Sequence, residues 1–250
     1  MDGRGLIGIV SGLGPLAGSD VLDKALAYAA EAYGAVDDAE YPDIVLFSHG
    51  IENFDSTGSI EDNFVQELIG VVQEIELHHP TVLGIACNTA HLHLSALQAH
   101  TQAQIVNLIE ATADAACSFD CSYLLLSSST TRQTRLYHDA LLRRGVRFVD
   151  VSDSVQLEVD DVVHAVMAHE FDRAAALIDE VIGRLENAPF NGIIAGGTEL
   201  PIALDQSDAS DVFPIIDSNR VLAHALVDTY FRIPRRERVL VRAGFERGLT

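Results

Sequence analysis

Lysine is almost absent from this chain of 250 residues, in which Lys24 is the only one. It falls within a predicted early helix and not at the end of a strand. A pyridoxal phosphate enzyme needs a Schiff-base lysine in its site, so the position of Lys24 argues against pyridoxal chemistry. Long apolar runs are also missing, and no stretch is long enough to span a bilayer. We therefore expect no membrane partner.

Cysteine is scarce as well, with only Cys87, Cys117 and Cys121. The odd number, and the lack of a signal-peptide pattern before the first predicted strand, favour free thiols and a cytoplasmic protein. Cys117 and Cys121 are four residues apart, but no second pair of metal ligands accompanies them. We therefore predict no metal site, and we expect both cysteines to be small buried residues.

Basic residues are few, with 16 Lys and Arg against 37 Asp and Glu and a net charge of −21. This balance argues against nucleic acid as a partner, because such binding depends on neutralising phosphates, and against anionic membranes. Six arginines lie in the C-terminal stretch 232–250. Two interpretations of this basic stretch remain open, namely a docking element and a segment that packs on the protein's own acidic surface.

Apolar strands that lack alternation are separated by amphipathic helices along the whole chain, which indicates buried parallel sheets in an α/β fold. We expect two pseudo-symmetric domains, each a parallel sheet flanked by helices, with the active-site cleft between them. Residues 1–110 and about 213–250 are predicted to form the first domain, and residues 111–212 the second. In such folds ligands bind at the carboxyl ends of the strands.

Two stretches mirror each other, VLGIACNTAH at 82–91 and GIIAGGTELP at 192–201. Each is a predicted strand followed by a turn with a threonine, and Cys87 in the first corresponds to Gly197 in the second. A thiol at a strand end, facing a matching strand end from a second half, suits proton transfer at carbon. A following helix N-terminus would lower the pKa of Cys87 toward neutrality, and Asn88 and Thr89 would add hydrogen-bond donors.

Other interpretations of these loops are weaker. Residues 12–17 satisfy the GxGxxG/A pattern of dinucleotide sites, but Pro15 has no N–H to offer a pyrophosphate, and Ser48-His49 stands where a ribose-binding acid is wanted. His91 could pair with Cys87 as in hydrolases, although a packing role is commoner. We expect no cofactor and a small anionic ligand, because several of these loops open onto helix N-termini.

Five stretches of the chain together resemble the aspartate/glutamate racemase superfamily, the cofactor-independent amino-acid racemases. These stretches are GIVSGLGPLAGSD (8–20), ACNTAH (86–91), LLLSSSTTRQTRLY (124–137), GGTELP (196–201) and FPIIDSNRVLAHA (213–225). The resemblance implies that one thiolate removes the α-proton of a small amino acid or dicarboxylate while a second thiol protonates the opposite face. It also implies a homodimer.

Carried over by position, the resemblance makes Cys87 the catalytic base. The residues that it implies in substrate binding are Ser11, Asn88, Thr89, Thr131, Thr198 and Glu199. The chain departs from the family pattern at three places. Gly197 replaces the second cysteine, Ser11 replaces a glycine, and the segment 51–60 lacks the arginine expected in aspartate-specific members.

Three hypotheses follow from these departures. The first is a racemase or isomerase with an altered substrate or with a second acid other than cysteine. The second is a lyase, decarboxylase or hydrolase that uses a single cysteine on a carboxylate. The third is a catalytically silent protein that still binds carboxylates.

Overall fold

The computed structural model describes residues 5–51 and 64–232. These residues form two α/β halves, each built around a four-stranded parallel sheet with helices on its faces, as predicted. Within the described ranges, no helix is both long enough and apolar enough to cross a membrane. Most of the segment 51–60 and the arginines beyond Arg232 lie outside the described residues.

The first half places its strands in the order β2-β1-β3-β4. Its elements are β1 (Ile7–Ser11), α1 (Pro15–Tyr33), β2 (Ile44–Ser48), α2 (Phe64–Glu76), β3 (Val82–Ile85), α3 (Leu94–Gln98) and β4 (Gln104–Ile105). Short 3₁₀ turns add Asp38–Glu40 and Thr89–His93. Both central strands, β1 and β3, are buried along their whole length, which explains why their sequences do not alternate.

The second half repeats this order as β6-β5-β7-β8. Its elements are α4 (Leu108–Cys117), β5 (Ser122–Leu126), α5 (Ser129–Gln133), α6 (Leu136–Arg143), β6 (Arg147–Val149), α7 (Asp153–Met167), α8 (Phe171–Arg184), β7 (Gly192–Ala195), α9 (Leu200–Leu204), α10 (Ala209–Val212) and β8 (Ile215–Asp217). Helix α11 (Ser218–Arg232) follows β8. Strand β7 therefore occupies the position in its sheet that β3 occupies in the first.

The last strand and the last helix belong to different halves. Strand β8 pairs with β7, with Ile193 opposite Ile215, so assigning residues 213–217 to the first domain is wrong. Helix α11 instead packs mainly against α1 and also against α4 and β3. We propose that the chain returns to the first domain at Ser218, where α11 begins.

The helical segments that follow β3 and β5 are both interrupted. After β3, a 3₁₀ turn precedes the short α3. After β5, the helical segment is broken at Arg135, whose φ of 57° is left-handed. Helix α1 begins at Pro15, because proline is well suited to the first position of a helix.

Lys24 ties α1 to β8 through buried ion pairs. Its Nζ lies 2.7 Å from Asp20 Oδ2 and 2.7 Å from Asp217 Oδ2. Asn219 extends this link, since its Nδ2 donates to Asp20 Oδ2 at 2.7 Å and to the Thr198 carbonyl at 2.8 Å. The network fixes the loop that follows β7 against the first helix.

Candidate active site

A small cavity of about 30 Å³ lies between the two halves, at the carboxyl ends of β3 and β7. Loops after β1, β3, β5 and β7 contribute to its walls, together with α7. The lining residues are Leu13, Gly14, Cys87, Asn88, Thr89, Ser128, Val163, Met167, Gly197, Thr198 and Glu199. Four of the six predicted substrate-binding residues therefore line the cavity together with Cys87, namely Asn88, Thr89, Thr198 and Glu199.

Among the described residues, Cys87 carries the only thiol on the cavity wall, and this residue is 3% exposed. Burial raises the pKa of Cys87 to about 12, while N–H groups of Ala90 and Thr89 act in the opposite direction and the charge of Glu199 raises it further. The prediction of a near-neutral pKa for Cys87 is therefore wrong. A single 3₁₀ turn follows Cys87 in place of a long helix, so its N–H donors do not offset burial.

Asn88 carries a free donor in the cavity wall. Its Oδ1 accepts a hydrogen bond from the Tyr137 hydroxyl, which fixes the orientation of the amide. Its Nδ2 is buried and has no hydrogen-bond partner among the described residues. A buried donor without a partner is destabilising, so this N–H group is available to a ligand oxygen.

Thr89 is held by hydroxyl groups from the second half. The hydroxyls of Thr89 and Thr131 lie 3.0 Å apart and share a hydrogen bond. Ser128 Oγ donates to Thr131 Oγ1 at 3.1 Å. Thr131 does not itself line the cavity, so its position is one hydrogen bond behind Thr89. Sequence reasoning missed Ser128, although it lies in the same serine-rich run as Thr131.

Gly197 and Glu199 form the opposite wall. Gly197 follows the end of β7 by the same two residues that separate Cys87 from the end of β3. Thr198 Oγ1 donates to Glu199 Oε2 at 3.0 Å. Glu199 is 9% exposed, and burial raises the pKa of its carboxyl, against the lowering effect of the Thr198 hydrogen bond.

Gly14 makes room for the Glu199 carboxyl. A Cβ at position 14 would lie 2.0 Å from Glu199 Oε1, and the φ of 93° at Gly14 is left-handed. Only glycine fits here without displacing the acid. The glycine-rich loop after β1 therefore accommodates a carboxyl from the other half of this chain.

Ser11, like Thr131, lies outside the cavity lining. It is 1% exposed, and its hydroxyl is 3.5 Å from the Pro15 carbonyl oxygen. A Cβ at Gly18 would lie 2.2 Å from Ser11 Oγ. The serine thus packs against the first turn of α1.

The remaining polar candidates are also placed. His91 Nδ1 lies 2.8 Å from the Cys87 carbonyl oxygen and Nε2 lies 3.3 Å from the Val106 carbonyl oxygen. The ring therefore bonds to the backbone, and burial lowers its pKa. Cys117 is exposed and Cys121 is partly exposed, so the expectation that both are buried is wrong.

An apolar wall completes the cavity. It consists of Leu13 from the first half with Val163 and Met167 from α7. Nothing in the sequence of α7 distinguishes it from an ordinary amphipathic helix, so this wall could not be predicted. Among the described residues, no lysine, arginine or histidine lines the cavity.

Comparisons with known proteins find relatives that match most of the chain. The broad specificity amino-acid racemase RacX of Bacillus subtilis is 25% identical over 230 residues, which cover 90% of this chain and 98% of that protein. Picrophilus torridus aspartate racemase matches in structure with a TM-score of 0.78 and 23% identity, covering 94% of this chain and 98% of that one.

Glutamate racemase isoform RacE1 from Bacillus anthracis matches with a TM-score of 0.66 and 17% identity, covering 96% of this chain and 85% of that one. At these identities the two solved structures establish a shared fold. The sequence profile of the Asp/Glu/Hydantoin racemase family matches residues 10–226, most of the chain. The protein therefore belongs to the Asp/Glu/Hydantoin racemase family.

Proposed function

We propose that the protein is a cofactor-independent amino-acid racemase in which Cys87 exchanges the α-proton of the substrate. The observation that carries this proposal is the pairing of a cavity thiol with the unpartnered Asn88 Nδ2 beside it. Membership of the racemase family and the similarity to a broad-specificity amino-acid racemase support it. We further propose a cytoplasmic homodimer, as the sequence leads us to expect.

The substrate carboxylate binds to donors next to Cys87. Asn88 Nδ2 and the hydroxyls of Thr89 and Ser128 surround the thiol on the cavity wall. Loss of the α-proton moves negative charge onto the carboxylate oxygens, so donors held in place before the reaction stabilise the transition state. Thr131 keeps the Thr89 hydroxyl in position through their 3.0 Å contact.

The substrate ammonium supplies the positive charge that the cavity lacks. Raising the pKa of Cys87 from 9.0 to about 12 corresponds to about 4 kcal/mol against forming the thiolate. A cation beside a thiol favours the thiolate, and among the described lining residues none is cationic. An amino acid therefore activates its own base, whereas a dicarboxylate without an amine would add charge of the wrong sign.

The apolar wall favours substrates with uncharged side chains. Leu13, Val163 and Met167 offer no partner for a second carboxylate. Leaving a charged side chain unpaired in such a wall is strongly unfavourable. At about 30 Å³ the cavity lies far below the ~300 Å³ of ordinary ligand pockets, so side chains around it must move when a substrate enters.

The test is proton exchange and inversion in D₂O. Wild-type protein is incubated with L- and D-enantiomers of alanine, leucine, methionine and glutamate, and α-deuteration and chirality are measured by NMR and chiral chromatography. Cys87→Ser should abolish both, because a serine hydroxyl is a far weaker acid than a thiol. Cys117→Ser, at an exposed thiol, is the matched control and should behave as wild type.

A single-cysteine lyase or decarboxylase remains the second candidate, because Gly197 offers no second thiol. Such an enzyme changes the mass of its substrate, whereas a racemase does not. A silent binding protein would do neither, and an amino acid would only raise its melting temperature. Mass spectrometry and thermal unfolding with the same amino acids therefore separate the three hypotheses.

A further inference from the structure

Inversion at carbon needs a proton donor on the side opposite Cys87. The equivalent position on the second half is Gly197, which has no side chain to donate. Of the lining residues in the described part of the chain, only Cys87 and Glu199 have side chains that titrate in the ordinary pH range. These two come from opposite halves, since Cys87 follows β3 and Glu199 precedes α9.

We propose that the carboxyl of Glu199 is the second proton-transfer group and takes the place of the missing thiol. This inference rests on the proposed racemase function. It makes Glu199 a catalytic residue that exchanges a proton with the substrate carbon, which goes beyond its expected part in binding.

The contacts of Glu199 suit a proton donor. Its Oε2 accepts a hydrogen bond from Thr198 Oγ1 at 3.0 Å, which leaves Oε1 to carry a proton. Oε1 lies at the place that a side chain at position 14 would occupy. The cradle formed by Gly14 and Thr198 therefore holds the carboxyl on the cavity wall in a fixed orientation.

The surroundings of Glu199 favour its protonated form, because burial raises the pKa of the carboxyl. It is buried, and none of its described contacts is with a lysine or arginine. Its negative form also opposes ionisation of Cys87, so the two groups disfavour carrying negative charge together. The active form for one direction is a Cys87 thiolate with a neutral Glu199.

The proton balance closes without any further reactant. The Cys87 thiolate takes the α-proton, and the electron pair of the C–H bond moves into the enolate of the carboxylate. Glu199 then gives its proton to the opposite face of the carbon, and its O–H bond pair stays on oxygen. The enzyme ends with a Cys87 thiol and a Glu199 carboxylate, which is the active form for the reverse direction.

The decisive variant is Glu199→Gln, which keeps the shape of the side chain but has no proton of suitable acidity. Inversion should fall by about 100-fold or more, while α-deuteration of the enantiomer whose proton faces Cys87 continues. Glu186→Gln, the same change at an exposed residue, should invert at the wild-type rate. The split between exchange and inversion would not follow from a merely structural role.

Restoring a thiol provides the second variant. A Cβ at Gly197 would meet Leu200 Cδ1 at 3.3 Å and Ser128 N at 3.6 Å, so Gly197→Cys requires only small adjustments. Adding Gly197→Cys to Glu199→Gln should return inversion, because a proton donor is again present on that side. The same assay in D₂O reads both variants.

Two results would overturn the proposal while leaving the racemase function intact. One is inversion by Glu199→Gln at the wild-type rate. The other is equal loss of exchange and inversion in Glu199→Gln with no recovery in the double variant, which would make Glu199 a binding residue. If wild-type protein exchanges no α-proton at all, the proposed function itself fails and this inference fails with it.

Discussion

The ionisation of Cys87 gives the sharpest prediction, since its pKa of about 12 can be measured without a substrate. At pH 8 such a thiol is ionised in about one molecule in 10⁴, whereas a thiol with a pKa of about 8.5 is about one-quarter ionised. Ionisation alone therefore slows attack on a disulfide reagent by about 2,000-fold. A more basic thiolate is also more nucleophilic, which raises the rate of attack by about 40-fold and partly offsets the low ionisation. The net expectation is a rate about 50-fold below that of free cysteine.

The assay uses a small neutral disulfide, 2-hydroxyethyl disulfide, with acid quenching and peptide mass spectrometry at pH 7 to 11. The rate at Cys87 should rise about tenfold per pH unit up to about pH 11, because the thiolate fraction rises by that factor below the pKa. Cys117 is exposed and reports in the same sample that the reagent is active. Limited access to the buried thiol lowers the rate equally at every pH and leaves the profile unchanged.

A plateau in the Cys87 rate below about pH 10 would refute the reasoning, because it would mean that burial does not control the thiol. Glu199→Gln supplies the complementary measurement. Above the pKa of Glu199 its carboxylate raises the pKa of the Cys87 thiol, so removing this ionisable group should move the whole profile to lower pH. An unshifted profile would show that the two groups do not interact.

Three further predictions concern stability. Burial raises the pKa of Glu199, so the stability contributed by its protonated form is fully present below the unfolded pKa of about 4.3 and is lost as pH rises through the folded pKa. In urea unfolding, the free energy of unfolding of Glu199→Gln should therefore increase relative to that of wild type between pH 4 and 8. A difference that stays constant with pH would contradict this. Lys24→Met should lower the free energy of unfolding by about 3 kcal/mol, because it removes the ammonium partner of Asp20 and Asp217, whose side chains are only 17% and 6% exposed. A loss below about 1 kcal/mol would count against the network. Thr131→Val should lower it by about 1 kcal/mol through the lost bond to Thr89. Thr130→Val is the control for this variant, since Thr130 Oγ1 is buried without a hydrogen-bond partner in the described structure. Equal losses of unfolding free energy in the two variants would show that the bond between Thr131 and Thr89 contributes nothing.

The fold and the loop of Cys87 could be predicted because their signals are local. Unbroken apolar strands such as β3 and β7 require burial on both faces, and parallel order brings their carboxyl ends to one edge of the sheet. The mirrored stretches at 82–91 and 192–201 therefore indicated two equivalent loops. Asn88, Thr89 and Thr198 reach the cavity because each follows such a strand within a few residues.

The features that were predicted wrongly or not at all depend on packing between segments that are distant in the sequence. The pKa of Cys87 depends on burial beneath the second half, which no local pattern shows. Strand β8 looks like the end of the first domain because α11 returns there, but its hydrogen bonds are with β7. The wall formed by Val163 and Met167 depends on how α7 sits against the cavity, and its sequence carries no sign of that contact.

The chain combines two halves of identical strand order with different groups at the equivalent strand ends, a sulfur on one side and, by the inference above, an oxygen on the other. Two enantiomers have equal free energies in solution, so kcat/KM must be the same in both directions whatever groups transfer the proton. The difference between a thiol and a carboxyl must therefore appear in the separate values of kcat and KM. One direction starts from the Cys87 thiolate and the other from the Glu199 carboxylate, and these forms differ in how burial raises their free energy. Symmetry of the fold thus need not give symmetry of the steps, and the loss of one thiol is compatible with inversion as long as the opposite wall keeps a proton.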